Sequence, residues 1–179
     1  METTATTGQC DLRDLARGRP GLSAAKGASL AEAAAVCLAS QKHKPGVMLK
    51  QMSTQDTVES PLEWTPAGEQ QKHTYADIAE ATEEGACAIA LTVLEVTRGL
   101  VVTERSRKCS AFDYWLGNEP GVLFQRKARL EVTGILKGGS KVVESRLTEK
   151  LQRFESYPHK SPAIVVVVEF ATPLARIDP

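Results

Sequence analysis

Cysteine and histidine are few in this 179-residue sequence, and none of them are clustered. The four cysteines lie far apart, at Cys10, Cys37, Cys87 and Cys109, and the three histidines are equally scattered. This spacing excludes a zinc signature and a disulfide framework, so we expect reduced thiols. Cys109 follows two basic residues, a setting that can make a thiol nucleophilic, but no histidine lies nearby in sequence to act as its base. A cysteine-dependent hydrolase is therefore only a third hypothesis.

Long apolar runs are also absent. The most apolar stretches, "ACAIALTVL" and "AIVVVVEF", have the size of core elements, whereas a membrane-spanning helix needs about 20 apolar residues. The first fifteen residues lack a basic segment followed by an apolar one, so no secretory signal is predicted. We therefore expect no membrane association and a cytoplasmic location.

The formal net charge is zero, but the charges are unevenly distributed. Residues 1–100 hold 9 Lys and Arg against 13 Asp and Glu, whereas residues 101–153 hold 11 against 6. A local basic excess can bind phosphate, although a solvated face of mixed charge is the alternative. The candidate nucleic-acid contacts in this region are Arg107, Lys108, Arg129, Arg146 and Lys150.

The first part of the chain predicts a small extension to a larger domain. We divide the sequence into a flexible N-terminus (1–20), a helix with short strands (21–70) and an α/β core (71–179). The alanine-rich residues 22–40 favour a helix. "GVMLKQM" and "VESPLEWT" predict two short strands that form a hairpin or an edge pair, because Pro61 argues against a central position.

The second part predicts a regular succession of elements. Thr74 or Asp77 can cap a helix that runs to about Arg98 and ends at Gly99. "LVVTERS", "SAFDYWLG" and "LFQRKARLEVTGIL" then predict three strands, "SKVVESRLTEKLQRFE" a second helix, and "AIVVVVEF" a strand covered on both faces. The first three strands can form an antiparallel meander, and the second helix can return the chain to a parallel position. The expected fold is an α/β sandwich with a mixed central sheet, in the order α-β-β-β-α-β.

Two carboxylates stand in segments that otherwise resemble core: Asp113 on the second strand and Glu131 on the third. A buried, unpaired carboxylate costs several kcal/mol, so each needs a partner. Neighbouring strands lie about 4.8 Å apart, so both carboxylates can share one divalent cation such as Mg²⁺. The alternatives are ordinary partners: backbone amides or Arg129 for Asp113, and Arg105, Lys127 or Arg129 for Glu131.

Over about residues 74–170, this element order and its two acids resemble the restriction-endonuclease-like nuclease superfamily. The motif of that family is an Asp followed by Glu-x-Lys, and Asp113 and Glu131 match its acids. The resemblance implies a Mg²⁺ (or Mn²⁺) cofactor held by Asp113, Glu131 and Val132, with DNA as the substrate. It also implies an acid on the first helix, for which Glu83 or Glu84 is the candidate and Glu80 a weaker one; a solvated helix face is the alternative for Glu83 and Glu84.

The sequence departs from the family at the third motif position. Thr133 stands where the family has lysine, which positions or activates the attacking water. Catalytic activity would therefore require a cation from a neighbouring position. Four residues are candidates, with Lys127 on the same strand face as Glu131 the first of them: Lys127, Arg129, Lys108 and Lys150.

Two main functional hypotheses follow. The first is a metal-dependent endonuclease that acts on DNA, in defence or DNA processing, with a protein partner or as a homodimer because the chain is small. The second is a catalytically inactive nuclease-like fold that serves as a binding or assembly subunit, with the N-terminal helix and hairpin as its docking surface. Tyr114 and Trp115 fit core packing better than base stacking.

Overall fold

The computed structural model describes residues 8–119, 122–157 and 159–179. The elements follow in this order: β1 (Cys10–Asp11), a 3₁₀ helix (Leu12–Arg17), α1 (Ala24–Ser40), β2 (Val47–Met52), β3 (Thr57–Glu63), α2 (Glu69–Thr74), α3 (Ile78–Arg98), β4 (Val101–Arg105), β5 (Tyr114–Gly117), β6 (Ala128–Ile135), α4 (Gly139–Glu155), β7 (Ala163–Glu169) and β8 (Leu174–Asp178). Among the described residues, no helix is both long enough and apolar enough to cross a bilayer.

Eight strands of the described residues form one mixed sheet, in the order β1-β3-β2-β8-β7-β6-β5-β4. Strands β4, β5 and β6 form an antiparallel meander. Helix α4 then leads to β7, which pairs parallel to β6, and β8 pairs antiparallel to β7. The predicted α/β class with a mixed sheet is therefore confirmed, whereas the assignment to a nuclease fold stays a prediction.

Helices cover the two faces of the central strands. Val166 and Val168 of β7 belong to the large core cluster that includes residues of α1 and α3, whereas Val165 and Val167 belong to a smaller cluster with residues of α4. This double burial explains why "AIVVVVEF" carries no polar alternation before Glu169.

Helix α3 approaches β6 and α1 very closely. A Cβ on Gly134 of β6 would lie 2.3 Å from the backbone oxygen of Thr82, and one on Gly85 would lie 2.8 Å from the Cα of Ala34. Glycine and alanine at these contacts allow the backbones to approach. The first half of α3, with its glutamates, is thereby fixed beside β6.

The N-terminal segment is more ordered than the sequence predicted. Residues 10–17, assigned to a flexible N-terminus, form β1 and the 3₁₀ helix, because Leu12 and Leu15 are buried in the large core cluster. Residues 1–7 lie outside the described residues. The predicted β2–β3 hairpin is antiparallel, and it joins the sheet through β8, a strand that we did not predict. Helix α2, which lies between this hairpin and α3, was also not predicted.

Two predicted strand boundaries are wrong around the meander. Strand β5 begins at Tyr114, so Asp113 precedes the strand instead of lying on it. Strand β6 begins at Ala128, although we predicted a strand from Leu123. The described part of the preceding loop exposes Leu123 and Phe124, which therefore pack on no core.

Candidate functional site

A cavity of about 820 Å³ opens where β5 and β6 separate. The β5–β6 pairing ends at Tyr114 and Leu130, so residues 131–135 of β6 extend beyond β5. The N-terminal segment forms the opposite wall, because the Gly21 N–H donates to the Val102 carbonyl of β4 at 3.1 Å and brings the start of α1 to the cavity. Residues from α1, α3, α4 and the meander therefore meet there.

Asp113 bridges β5 to the free part of β6. Its backbone N–H donates to the Leu130 carbonyl at 2.7 Å, and its carboxylate Oδ2 accepts the Val132 N–H at 2.9 Å. The side chain thus continues the ladder where the backbone of β5 has turned away. Because N–H and C=O of one strand residue point to the same edge, the Val132 carbonyl also faces this side of β6.

Glu131 is buried on the face of β6 that α4 covers, with 6% of its surface exposed. Lys150 of α4 places its Nζ 2.6 Å from Glu131 Oε1. Burial raises the pKa of Glu131; the Lys150 ammonium opposes this change, and the neighbouring Asp113 carboxylate raises the pKa further. The net direction is upward, so an additional positive charge at this point would be favourable.

Three ion pairs at the cavity each join two parts of the chain. Lys150 pairs with Glu131, Arg105 Nη1 lies 3.5 Å from Asp113 Oδ1, and Lys26 of α1 pairs with Glu84 of α3. Acidic residues outnumber basic ones in the lining by six to four: Glu80, Glu83, Glu84, Asp113, Glu131 and Glu149 against Lys26, Arg105, Arg146 and Lys150. An acidic excess with oxygen ligands suits a hard cation.

Of the predicted catalytic residues, Asp113, Glu131 and Glu83 line the cavity, and Glu83 is exposed. Lys127 does not line it. Its Nζ donates to Asn118 Oδ1 at 2.8 Å, and its backbone pairs with Leu116 at the opposite end of the β5–β6 hairpin. The predicted role of Lys127 is therefore not supported by its position.

The predicted nucleic-acid contacts separate into three groups. Arg146 and Lys150 line the cavity, whereas Arg107 and Lys108 lie exposed in the β4–β5 loop outside its lining. Arg129 is 6% exposed and cannot contact DNA. Its guanidinium donates to the backbone carbonyls of residues 157 and 161, because these carbonyls replace the water that the buried charge has lost.

The cysteines do not form a catalytic group. Cys109 is exposed but lies outside the cavity lining. Cys87 lines the cavity next to Tyr114, where burial raises the pKa of its thiol to about 12. A thiol that stays protonated at neutral pH is a poor nucleophile, so the cysteine-hydrolase hypothesis gains no support.

Sequence reasoning missed Lys26, because nothing in the spacing of α1 indicates that it packs on α3. Arg105 was considered only as a partner for Glu131. Thr133 also lines the cavity, and its buried Oγ1 has no hydrogen-bond partner among the described residues. Sequence alone does not reveal these contacts, which join distant parts of the chain.

The residues that could hold a Mg²⁺ ion here are Asp113 and Glu131, since Mg²⁺ commonly uses one or two carboxylates and keeps several waters. Among the residues that the structure describes, no three or more His, Cys, Asp or Glu side chains are grouped to hold a metal. No protein-family model matches the chain, and no curated protein or solved structure matches it. The geometry of the cavity is therefore the basis for a functional assignment.

Proposed function

We propose that this chain is a Mg²⁺-dependent phosphodiesterase with a restriction-endonuclease-like fold that acts on DNA. One observation carries the proposal: Lys150 Nζ lies 2.6 Å from Glu131 Oε1 in the cavity that Asp113 also lines. Helix α4 thus supplies the cation that Thr133 cannot provide. The order of elements from α3 to β7 supports the same assignment.

Asp113 and Glu131, with the carbonyl of Val132, would hold the Mg²⁺ ion. When bound, the ion would polarise the scissile phosphate and lower the pKa of a coordinated water. Lys150 would orient the attacking water and stabilise the negative charge that develops on the phosphate. The burial of Glu131 favours its role as a metal ligand, because a buried carboxylate gains more from a nearby cation than an exposed one does.

The second candidate is a non-catalytic binding or assembly subunit. It is favoured by the ion pairs, because Asp113, Glu131 and Glu84 each have a cationic partner within the chain. Such a set can be a structural network without chemistry. In either case we propose a cytoplasmic protein that works with a protein partner or as a homodimer, since a chain of this size offers little surface for sequence recognition.

Nicking of supercoiled plasmid in Mg²⁺ or Mn²⁺ tests the proposal. Glu131→Gln keeps the shape of the side chain but removes a charged ligand, so cleavage should fall by about 100-fold or more. The matched control is Glu69→Gln, which removes a carboxylate charge from an ion pair outside the cavity. If the wild-type chain neither cleaves nor gains thermal stability with either metal, the binding subunit is the better description.

A further inference from the structure

We propose that Lys26, from the N-terminal helix α1, and Arg105, from β4, contact phosphate oxygens of the DNA strand held in this cavity. This inference rests on the proposed function. In the free protein both residues neutralise carboxylates, Glu84 and Asp113 respectively. On substrate binding the divalent cation would be held by Asp113 and, in addition to the ligands proposed above, by Glu84, and the two basic residues turn to phosphate.

The Lys26–Glu84 pair is suited to such an exchange because it is accessible. The side chain of Lys26 is 46% exposed and that of Glu84 is 28% exposed, so water can solvate both charges when the pair separates. Ion pairs of this kind contribute little to stability. Lys26 also lies in the first turn of α1, where Ser23 Oγ accepts its backbone N–H at 3.2 Å and fixes the position of the residue.

Arg105 is held in place more by the ring of Tyr114 than by the carboxylate of Asp113. Its guanidinium lies 4.5 Å from the centroid of the Tyr114 ring. Its distance of 3.5 Å to Asp113 Oδ1 exceeds the 2.7–2.9 Å that is usual for a charge-assisted hydrogen bond. The planar fork is therefore oriented but not saturated with acceptors, and its remaining N–H groups can bind a phosphate in bidentate fashion.

The charges of the lining explain why metal and DNA would depend on each other. With six acidic and four basic residues, the cavity would repel a phosphate that entered alone. A divalent cation that binds the carboxylates separates them from the basic side chains, which can then bind the phosphate. Lys26 and a metal ion thus compete for Glu84, whereas Lys26 and the metal ion cooperate in binding DNA.

Two binding measurements on the full chain test this competition. Isothermal titration calorimetry measures Mn²⁺ binding without DNA. Fluorescence anisotropy measures the binding of a labelled DNA duplex in the presence of Ca²⁺, at a series of salt concentrations. Lys26→Ala should bind Mn²⁺ at least as tightly as the wild type, because Glu84 is freed. Its DNA affinity should fall roughly tenfold, with the slope of log affinity against log salt smaller by about one. Arg105→Ala should show the same loss for DNA.

Lys72→Ala is the matched control, since Lys72 is 49% exposed and pairs with a glutamate outside the cavity. It should change neither Mn²⁺ nor DNA binding. The inference is overturned if the wild type binds DNA in a metal-dependent manner while Lys26→Ala and Arg105→Ala behave like this control. If the wild type binds neither Mn²⁺ nor DNA, the proposed function itself fails, and this inference fails with it. Lys26→Gln replaces Lys26→Ala if the alanine variant has a lower melting temperature.

Discussion

Lys150→Met isolates the contribution of the ammonium group that faces Glu131. Methionine keeps a long, flexible side chain and a good helix former in α4, so the main loss is the charge. The Glu131 carboxylate, on a side chain that is 9% exposed, then loses the partner that lies 2.6 Å away. Without a metal ion, it must remain charged in a poorly hydrated position or take up a proton.

The cost of protonation sets an upper limit to the destabilisation. For a carboxyl group of ordinary pKa 4.5, protonation at pH 7 costs about 3.4 kcal/mol, at 1.36 kcal/mol per pH unit. We therefore expect Lys150→Met to lower the free energy of unfolding by about 2 to 3 kcal/mol at pH 7 in EDTA. At pH 5 the same limit is about 0.7 kcal/mol.

The sign follows from the direction of the pKa change. Burial and Asp113 raise the pKa of Glu131 in the folded state, and removal of Lys150 raises it further. Stability linked to a raised pKa is present below the unfolded-state value and is lost as the pH rises through the folded-state value. The deficit of the variant should therefore grow from pH 5 to pH 7.

Urea denaturation at both pH values measures this deficit, and an unchanged m-value would show that the unfolded surface is the same. The Glu131→Gln/Lys150→Met double variant is the control, because it removes both charges and should recover most of the loss. A deficit that is equal at pH 5 and pH 7, or below about 0.5 kcal/mol at pH 7, would refute the burial of Glu131 against Lys150.

Three further predictions concern the surroundings of the site. Gly134→Ala should lower the free energy of unfolding by about 2 to 3 kcal/mol in urea denaturation, because its Cβ would lie 2.3 Å from the backbone oxygen of Thr82. The control Gly68→Ala, whose Cβ meets only the end of a glutamine side chain, should lower it by less than about 1 kcal/mol. Equal losses in the two variants would contradict the close packing of α3 on β6. Thiol titration at pH 8 should find one cysteine that reacts rapidly, because burial raises the pKa of the other three, and this rapid reaction should be absent from Cys109→Ser. A second rapidly reacting thiol in the native protein would be inconsistent with that burial. Arg129→Met should lower the free energy of unfolding by about 1 to 3 kcal/mol, because it leaves two backbone carbonyls unpaired, and it should leave the salt dependence of DNA binding unchanged. A smaller slope of log affinity against log salt in this variant would show that Arg129 does contact phosphate.

Local signals in the sequence were sufficient for much of the fold. Asp77, one of the two predicted caps, caps α3 through the N–H groups of residues 79 and 80, and Gly99 ends the helix with a φ of 62°, as predicted. The apolar stretch 163–169 indicated a strand covered on both faces, and the structure provides both covers. Such features depend on neighbours in sequence, so periodicity and capping can predict them.

The site was only partly predictable, because ion pairs between distant segments leave no local pattern. Asp113 and Glu131 were identifiable as polar residues in apolar surroundings. The choice of Lys150 over Lys127 depends on how α4 crosses β6, which spacing does not determine. The contribution of Lys26 depends on the contact of α1 with α3, which brings Lys26 to Glu84, 58 positions away in the sequence. Strand β8 follows β7 after a short turn and lacks regular alternation, so it was missed.

A lysine exchange tests most directly the proposal that Lys150 supplies the cation of a nuclease site. Plasmid nicking in Mg²⁺ is compared for the wild type, Lys150→Met and the Thr133→Lys/Lys150→Met double variant, which moves the cation to the family's usual position. We predict that Lys150→Met lowers the nicking rate by about 100-fold or more, as expected for loss of a residue that positions the attacking water, and that the double variant regains part of it. A Lys150→Met protein that nicks DNA at the wild-type rate would contradict the assignment.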